Sequence, residues 1–515
     1  MATPASISMD GIVVARPWRL ALLPSLTDFF FLCAIAWMFM AADGGWQALL
    51  RDGDTGVHLR VGDLILDTGA VPTHDPFSFS KPGGVWFAHE WLTGAIYALL
   101  VRAAGLKALV LLTGVILALY NTVLLRQIVK RGGNSLLAMA LVLAGTNAAS
   151  IHFHTRPHVF TLLFLTLAMA LIAEDRQRAT RWVWLLVPMT ALWANMHGGF
   201  VILFPVLGIV VLGSIAEMFL DRPVAGEKRK MALRYFWVGV GCGAASLVNP
   251  QGIKLHLHII ELLRTSWFKT HISEYQSPSF NGEATLFFMA LLFLGLAAVY
   301  PLLSRKQVTE AIWILFFAYW SLTSARNIPL FVVVVVPLVA LEVTRLWQLV
   351  ASGRSRKSTI GVLDDIAAQT SAKFRPIGVW AALFVVGIFL FTPANRWPGD
   401  FSKEMFPLAL MHRHAGELAA ARVFAPDQWA DYLIYLNYPR QRVFIDGRSD
   451  YYGEEIGKAY LAIIDGRPKW RELFQQYSFD MVLCPPDLAL VSLLRASPEW
   501  HILDQDKDAV LFVKD

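Results

Sequence analysis

HTRPHVFTLLFLTLAMALIAEDRQRATRW, residues 154–182, decides how this chain is built. From Val159 to Ala173 it carries no charge, and it approaches the length a helix needs to cross the hydrocarbon layer of a bilayer. The two ends differ in kind. His154, Arg156 and His158 precede the apolar run, while Arg176, Arg178 and Arg181 follow it as the basic turn expected of a cytoplasmic end. Period-2 alternation is absent here and in the other apolar runs, which excludes a membrane β-barrel.

Similar runs lie near 20–42, 107–126, 134–150, 157–173, 182–195, 199–219, 235–248, 283–302, 308–323, 328–346 and 376–393, predicting 11 spans. Composition agrees: of 515 residues, 56% are hydrophobic and 16% charged, against roughly 25% charged in soluble domains. Mean hydropathy is +0.49. The net charge of +6 sits in short turns on alternate ends of the runs, so it orients the chain rather than binding nucleic acid. Those turns hold Arg126, Lys130 and Arg131; Arg222, Lys228, Arg229 and Lys230; Arg305 and Lys306; and Arg354, Arg356 and Lys357. With these ends and the N-terminus cytoplasmic, all 13 histidines fall outside. Arg16 and Arg19 precede a first run that lacks a small-residue cleavage site and contains Trp37, as expected of a retained anchor. Cys33, Cys242 and Cys484 are too dispersed for a disulfide framework or a cysteine zinc site.

Residues 86–126 have room for two helices, but two crossings would place every later basic turn outside. The segment Glu90–Ala103 is therefore expected to lie along the membrane surface while 107–126 crosses. After the last span, strand-like runs at Ala421–Ala425, Arg442–Asp446, Asp480–Cys484 and Ala509–Val513 predict a small exterior α/β domain. The expected architecture is an all-α polytopic membrane protein: a membrane domain over 1–393, with its first exterior loop at 43–106, and an exterior domain over 394–515.

Polar residues gather on the exterior side. In RDGDTGVHLRVGDLILDTGAVPTHDPFSFS, residues 51–80, Asp52 and Asp54 stand just beyond the first span, where an interfacial substrate would meet them. A carboxylate there serves as a general base when burial or a neighbouring acid raises its proton affinity. Asp54 is the candidate base, with Asp52 its neighbour or alternate; the same spacing suits a divalent cation, and DG is also a plain turn. His58 and Arg60 follow two residues apart, off a common helical face. Asp75 is a substrate contact or a capped turn. His89 and Glu90, beside the interfacial Trp91, pair an imidazole with a carboxylate.

Arg156 and Arg326 lie at exterior helix ends, where a guanidinium can grip phosphate with two parallel hydrogen bonds or snorkel to water. His152 and His154 form a weak His-x-His metal signal, and His158 is a candidate substrate-binding residue. Asn195 and His197, in LWANMHGGF, are hydrogen-bonders for sugar or phosphate, or helix caps. Glu274 and Tyr275, in ISEYQSP, lie in an exterior loop long enough to cover a site, and read more simply as part of a surface helix. Asp446, Gly447, Arg448 and Asp450, in RVFIDGRSDYYGEE, follow a strand-like run, where Asp446 and Arg448 bind substrate or pair within a turn.

The acidic first loop, surface-lying segments, roughly a dozen spans and exterior tail resemble the GT-C superfamily of membrane glycosyltransferases, which includes protein O-mannosyltransferases, lipid A aminoarabinose transferases and oligosaccharyltransferases. HEWL, LWANMHGG, RNIPLF and VFIDGRSD also resemble strings in bacterial membrane proteins of this type. The resemblance implies sugar transfer from a polyprenyl-phosphate donor to a lipid, glycan or protein acceptor, outside the bacterial inner membrane. A first-loop acid acts as base in such enzymes, and the matching position is Asp54. Protein O-mannosyltransferases carry Asp directly followed by Glu, whereas Gly53 intervenes here, so the base's identity and any divalent cation stay open. A transporter or flippase would need polar residues through the depth of several spans, where this chain has apolar middles. A non-catalytic scaffold leaves the first-loop acids and the two arginines without a role.

Overall fold

A computed structural model describes residues 22–40 and 45–515. The edges of the first apolar run, together with Arg16, Arg19 and the N-terminus, lie outside the described residues. Each of the eleven apolar runs otherwise coincides with helix.

In chain order the membrane helices are α1 (Leu26–Met40), α4 (Leu106–Lys130), α5 (Ser135–Ala149), α6 (His158–Gln177), α7 (Leu186–Met196), α8 (Leu203–Leu220), α9 (Ala225–Ser246), α11 (Glu283–Ser304), α12 (Val308–Thr323), α13 (Ile328–Ala351) and α15 (Val379–Phe391). Between them come α2 (Asp54–Thr68), α3 (Trp91–Ala104), α10 (Ile253–Arg264) and α14 (Thr359–Ser371). Helices α4, α6, α8, α11 and α13 are long and apolar enough to cross a membrane, as is α5 with the short turn that follows it. Phe219, Phe293, Leu390 and Phe391 point outward and exposed, as expected of side chains facing lipid. The chain is a polytopic membrane protein.

α13 forms the spine. Its buried run Phe331, Val332, Val333, Val334, Val335 and Val336 packs against α5, α6, α11 and α12. Without a hydrophobic drive between helices in lipid, such packing rests on close van der Waals fit.

The first long loop folds as two helices crossing at glycines. A Cβ on Gly62 of α2 would lie 1.9 Å from the Gly94 carbonyl oxygen of α3, so a side chain there would force the helices apart. Arg102 of α3 ties the pair further, through Asp63 at 2.8 Å and Asp67 at 2.8 Å. α3 is the segment expected along the membrane surface. It is packed between α2 and α4.

The tail contributes α16 (Asp427–Asn437), α17 (Ser449–Ile464) and a four-stranded sheet of β1 (Val423–Phe424), β2 (Met481–Cys484), β3 (Trp500–Gln505) and β4 (Val510–Lys514). The strand order is β1-β2-β4-β3, with β1 parallel to β2 and the other pairs antiparallel. Arg442–Asp446 is not a sheet strand, contrary to expectation. Val443 makes only single bridges, to Val423 and to Ser78, because its backbone is committed to the first loop. Its N–H donates to Phe77 O at 2.9 Å, and its carbonyl accepts from the Phe79 N–H at 2.9 Å.

Loop and tail share one core, in which Val57, Val61, Phe77 and Trp86 pack with Phe444, Ile445, Tyr451 and Tyr452. α16 lies directly on α2. The first long loop and the tail are thereby held together.

Candidate functional site

α2 begins where the sequence supplies a turn and an acid. Asp52 Oδ1 accepts the Asp54 N–H at 3.0 Å, and Asp54 occupies the first helical turn, where a negative charge faces the helix N-terminus favourably. The turn reading of DGD is thus correct locally, and it leaves both carboxylates oriented for further contacts.

Those contacts converge on Arg156, just ahead of α6. Its Nη1 meets Asp52 Oδ2 at 3.1 Å, its Nη2 forms a short ion pair with Asp54 Oδ2, and Nη1 lies 3.7 Å from Glu274 Oε2. Glu274 also faces Arg326 Nη1 at 3.4 Å, and the Arg326 guanidinium lies 4.3 Å from the centre of the Tyr275 ring. The result is one chain of alternating charge. Burial pushes Glu274 upward, but Arg326 and Arg156 outweigh it and hold the carboxyl at about 2.

Asp54 has a second neighbour that sequence reasoning missed. Its Oδ1 is buried with no hydrogen-bond partner among the described residues, and so is Oδ2 of Asp431 on α16. The two carboxyls crowd Gly447, whose N–H donates to Asp431 Oδ1 at 3.0 Å. Burial pushes Asp54 up to about 7, with Asp52 adding to the rise and Arg156 opposing it. Burial, then the Asp54 charge, also raises Asp431 well above the carboxylate range. Two acids in this position compete for one proton.

Gly447 makes the approach feasible. A Cβ there would stand 1.9 Å from Asp54 Oδ1 and 2.9 Å from Asp431 Oδ2. Gly447→Ala must displace one of the carboxyls, so we expect a loss of activity of about tenfold or more, the scale on which misplaced catalytic groups act. Membrane insertion and expression should be normal. Steady-state kinetics on the purified variant, with size-exclusion behaviour as the folding control, checks this.

A second cluster surrounds Glu90. His58 Nε2 lies 3.3 Å from one carboxylate oxygen, while His197 Nε2 and His89 Nε2 lie 3.4 Å and 3.7 Å from the other. Burial holds His58 down to about 4, so it is a neutral imidazole at physiological pH. Burial, then the neighbouring Arg326, His89 and Arg156, holds His197 well below its ordinary value; both arginines are thus close enough to influence it. The carboxylate-arginine chain and the histidine group occupy the same end of the bundle.

Next to Glu90 is a set of metal-competent donors. One donor atom each from His89, His258 and Asp450 lies within 4.8 Å of the others, and His258 Nε2 meets Asp450 Oδ2 at 3.0 Å. Neither the DGD pair nor His152 and His154 forms part of it. His152 offers its carbonyl to His158 Nε2 at 2.5 Å.

The remaining candidates sit elsewhere. Arg60 turns to the tail, donating through Nε to Tyr435 O at 2.9 Å and pairing with Asp63 at 2.7 Å. Asp75, Asp446 and Arg448 form a buried clamp between first loop and tail, in which Arg448 Nη2 meets Asp75 at 2.7 Å and Asp446 at 2.6 Å. Asn195 accepts from Trp91 Nε1 at 2.8 Å and donates to Val248 O at 2.7 Å, which fixes α3 against α7. Sequence reading gave Glu274 to a surface helix and did not weigh Asp431 or His258. Glu274 carried a faint signal, as an acid in an exterior loop between spans.

No family model matches the chain, and no curated protein matches it. Solved structures do. The chain superposes on AglB, the oligosaccharyltransferase of Archaeoglobus fulgidus, in complex with an inhibitory peptide and a dolichol-phosphate: identity is 11%, the match covers 91% of this chain and 69% of that one, and the TM-score is 0.57. The same organism's oligosaccharyltransferase in complex with Zn and sulfate gives 11% identity, 90% and 68% coverage and a TM-score of 0.54. ArnT from Cupriavidus metallidurans bound to undecaprenyl phosphate gives 15% identity, 94% and 97% coverage and a TM-score of 0.46. The chain shares its overall fold with the archaeal oligosaccharyltransferase.

Proposed function

We propose that this protein is an inverting membrane glycosyltransferase that takes a sugar from a polyprenyl-phosphate donor, with Asp54 as general base. One observation carries the reading: a buried acid raised to about 7 is ion-paired to an arginine at the tip of a membrane span, in a GT-C fold. An acid matched to neutral pH is well suited to accept a proton during reaction. The reading is supported further by AglB, whose structure contains a dolichol-phosphate and a peptide. By the positive-inside rule the site and residues 394–515 face the exterior, as in an inner-membrane protein with its outer domain in the periplasm.

In the proposed reaction the acceptor oxygen or nitrogen attacks the anomeric carbon, and its proton passes to Asp54. The bond from that carbon to the phosphate oxygen breaks, and polyprenyl phosphate leaves with the electron pair. Arg326 is the better-placed cation for that developing charge, because Arg156 is already engaged by three carboxylates. His58, His89, Glu90 and His197 line the same end of the bundle as hydrogen-bonding partners for sugar or phosphate. The acceptor and the type of sugar are open within this class.

His89, His258 and Asp450 fit a divalent cation, since two imidazoles and a carboxylate are a common zinc donor set. Bound there, such an ion would supply Lewis-acid stabilisation of phosphate charge.

The test is release of polyprenyl phosphate from a panel of polyprenyl-phosphate sugars by the full chain in proteoliposomes. The rate should rise about tenfold per pH unit below about pH 7 and level off above it, because only deprotonated Asp54 accepts the proton. Absence of transfer from every donor, or a flat profile between about pH 5 and about pH 8, overturns the reading.

A further inference from the structure

A cavity lined by charged side chains lies at the other end of the bundle. Its volume is about 550 Å³. Arg156 precedes α6 and Arg176 lies near its last turn, so the cavity and the Asp54 cluster are about 30 Å apart along that 20-residue helix. Cavity and site are separate.

Six cations line it: Arg131, Arg176, Lys228, Arg305, Lys306 and Arg345. Carboxylates answer most of them. Glu310 takes Arg176 through two hydrogen bonds of 2.8 and 3.2 Å, Glu217 takes Lys228 at 2.5 Å, and Asp221 takes Lys306 at 3.0 Å. Glu342 is shared by Arg305, at 2.5 Å, and Arg345.

Six cations therefore meet four carboxylates. Arg131 has no ion pair among the described residues, and its Nε is buried without a hydrogen-bond partner. Burial, together with Arg176 and Arg345, weakens its hold on its proton, although Glu310 opposes this. A partly buried guanidinium left without a counterion is costly unless an anion arrives.

The inner wall is apolar, formed by Met169, Val334, Pro337, Leu338 and Leu341. Pro337 sits inside α13 and has no backbone N–H to donate to the preceding turn. Charged and apolar side chains line the cavity together. This combination fits a phosphate group attached to an apolar body, or phosphate alone.

We infer that this cavity, at the basic end of the bundle and centred on Arg131, is a binding site for a phosphate-bearing anion distinct from the outer site. An excess of two positive charges suits a phosphate group. Planar guanidiniums on Arg131 and Arg345 offer the two-pronged geometry that phosphate oxygens accept. The chemistry is shared by an anionic lipid headgroup and by a soluble phosphate, and basic pockets between membrane helices bind such headgroups elsewhere.

The experiment uses the full chain in phosphatidylcholine nanodiscs, read by thermal unfolding and native mass spectrometry. One arm adds cardiolipin or phosphatidylglycerol to the nanodisc; the other titrates inorganic phosphate and pyrophosphate. At least one arm should raise the melting temperature and leave a bound adduct, and the arm that does so identifies the source. Arg131→Gln should weaken that binding about tenfold or more, the scale of a lost charge-assisted hydrogen bond, while Arg131→Lys keeps part of it. Asp54→Asn should bind as the parent does, which separates this site from the proposed reaction. No stabilisation in either arm, or equal affinity in Arg131→Gln, overturns the inference. Arg345→Gln gives the same readout should Arg131→Gln fail to fold.

Discussion

Asp54→Asn should cut sugar transfer by about two to four orders of magnitude, the usual contribution of a positioned general base, without unfolding the protein. The substitution is nearly isosteric and removes the carboxylate's ability to take a proton, together with its negative charge beside Arg156. Asp52 still answers Arg156 at 3.1 Å, so the arginine keeps a counterion. The new carboxamide can donate to Asp431 Oδ2, which has no partner at present, so the buried contact between the two side chains gains a hydrogen bond. Donor binding should therefore survive while chemistry stops. Initial rates of polyprenyl-phosphate release, measured beside equilibrium donor binding, separate the two. A variant turning over within about threefold of the parent would remove Asp54 from the role of base.

Arg156→Gln should be nearly as damaging, by a different route. Three carboxylates surround this guanidinium, and its removal leaves Asp52, Asp54 and Glu274 facing each other across a partly buried space. Breaking such a pair by deleting one partner typically costs about 3–5 kcal/mol when it is buried, and less at this site, where the Arg156 side chain is 23% exposed. The sign of the pH effect is fixed by the same geometry. Arg156 holds the Asp54 proton affinity down against burial, so without it the carboxyl retains its proton to higher pH. Activity at neutral pH should fall about a hundredfold or more, and part of it should return as pH is raised above about 8. A merely structural Arg156 predicts loss at every pH. Arg156→Lys, which keeps the charge but loses the fork, should shift the profile less than Arg156→Gln.

The membrane path was legible because lipid imposes one rule on every span: about 20 apolar residues, with basic turns on one side. That rule located all eleven helices and set α3 apart as a further helix to be kept out of the crossing count. The tail was harder. DMVLC and AVLFV are continuous apolar runs and became β2 and β4, whereas β3, WHILDQ, has one fully buried residue at its start and offered no pattern to see. RVFID looks like a strand in isolation, yet its backbone hydrogen bonds are spent on Phe77 and Phe79, more than 350 residues away. Asp52, Asp54, Arg156 and Arg326 could be read because each stands at the mouth of a span. Asp431 could not: α16 reads as an ordinary amphipathic helix, and only the packing of α16 on α2 gives one of its acids a meaning. Glu274 and His258 depend likewise on contacts no local pattern encodes. Arg60, Asp75, Asp446 and Arg448 were legible as polar and charged, but such composition does not distinguish a ligand from a clamp.

Asp54 is translated early and Asp431 late, and the two meet only once α16 has docked on α2. A nascent chain therefore carries Asp54 without its second carboxyl neighbour until α16 has been made and has packed on α2. Termination before α16 would leave Asp54 without its second acid, because no other element brings Asp431 to it.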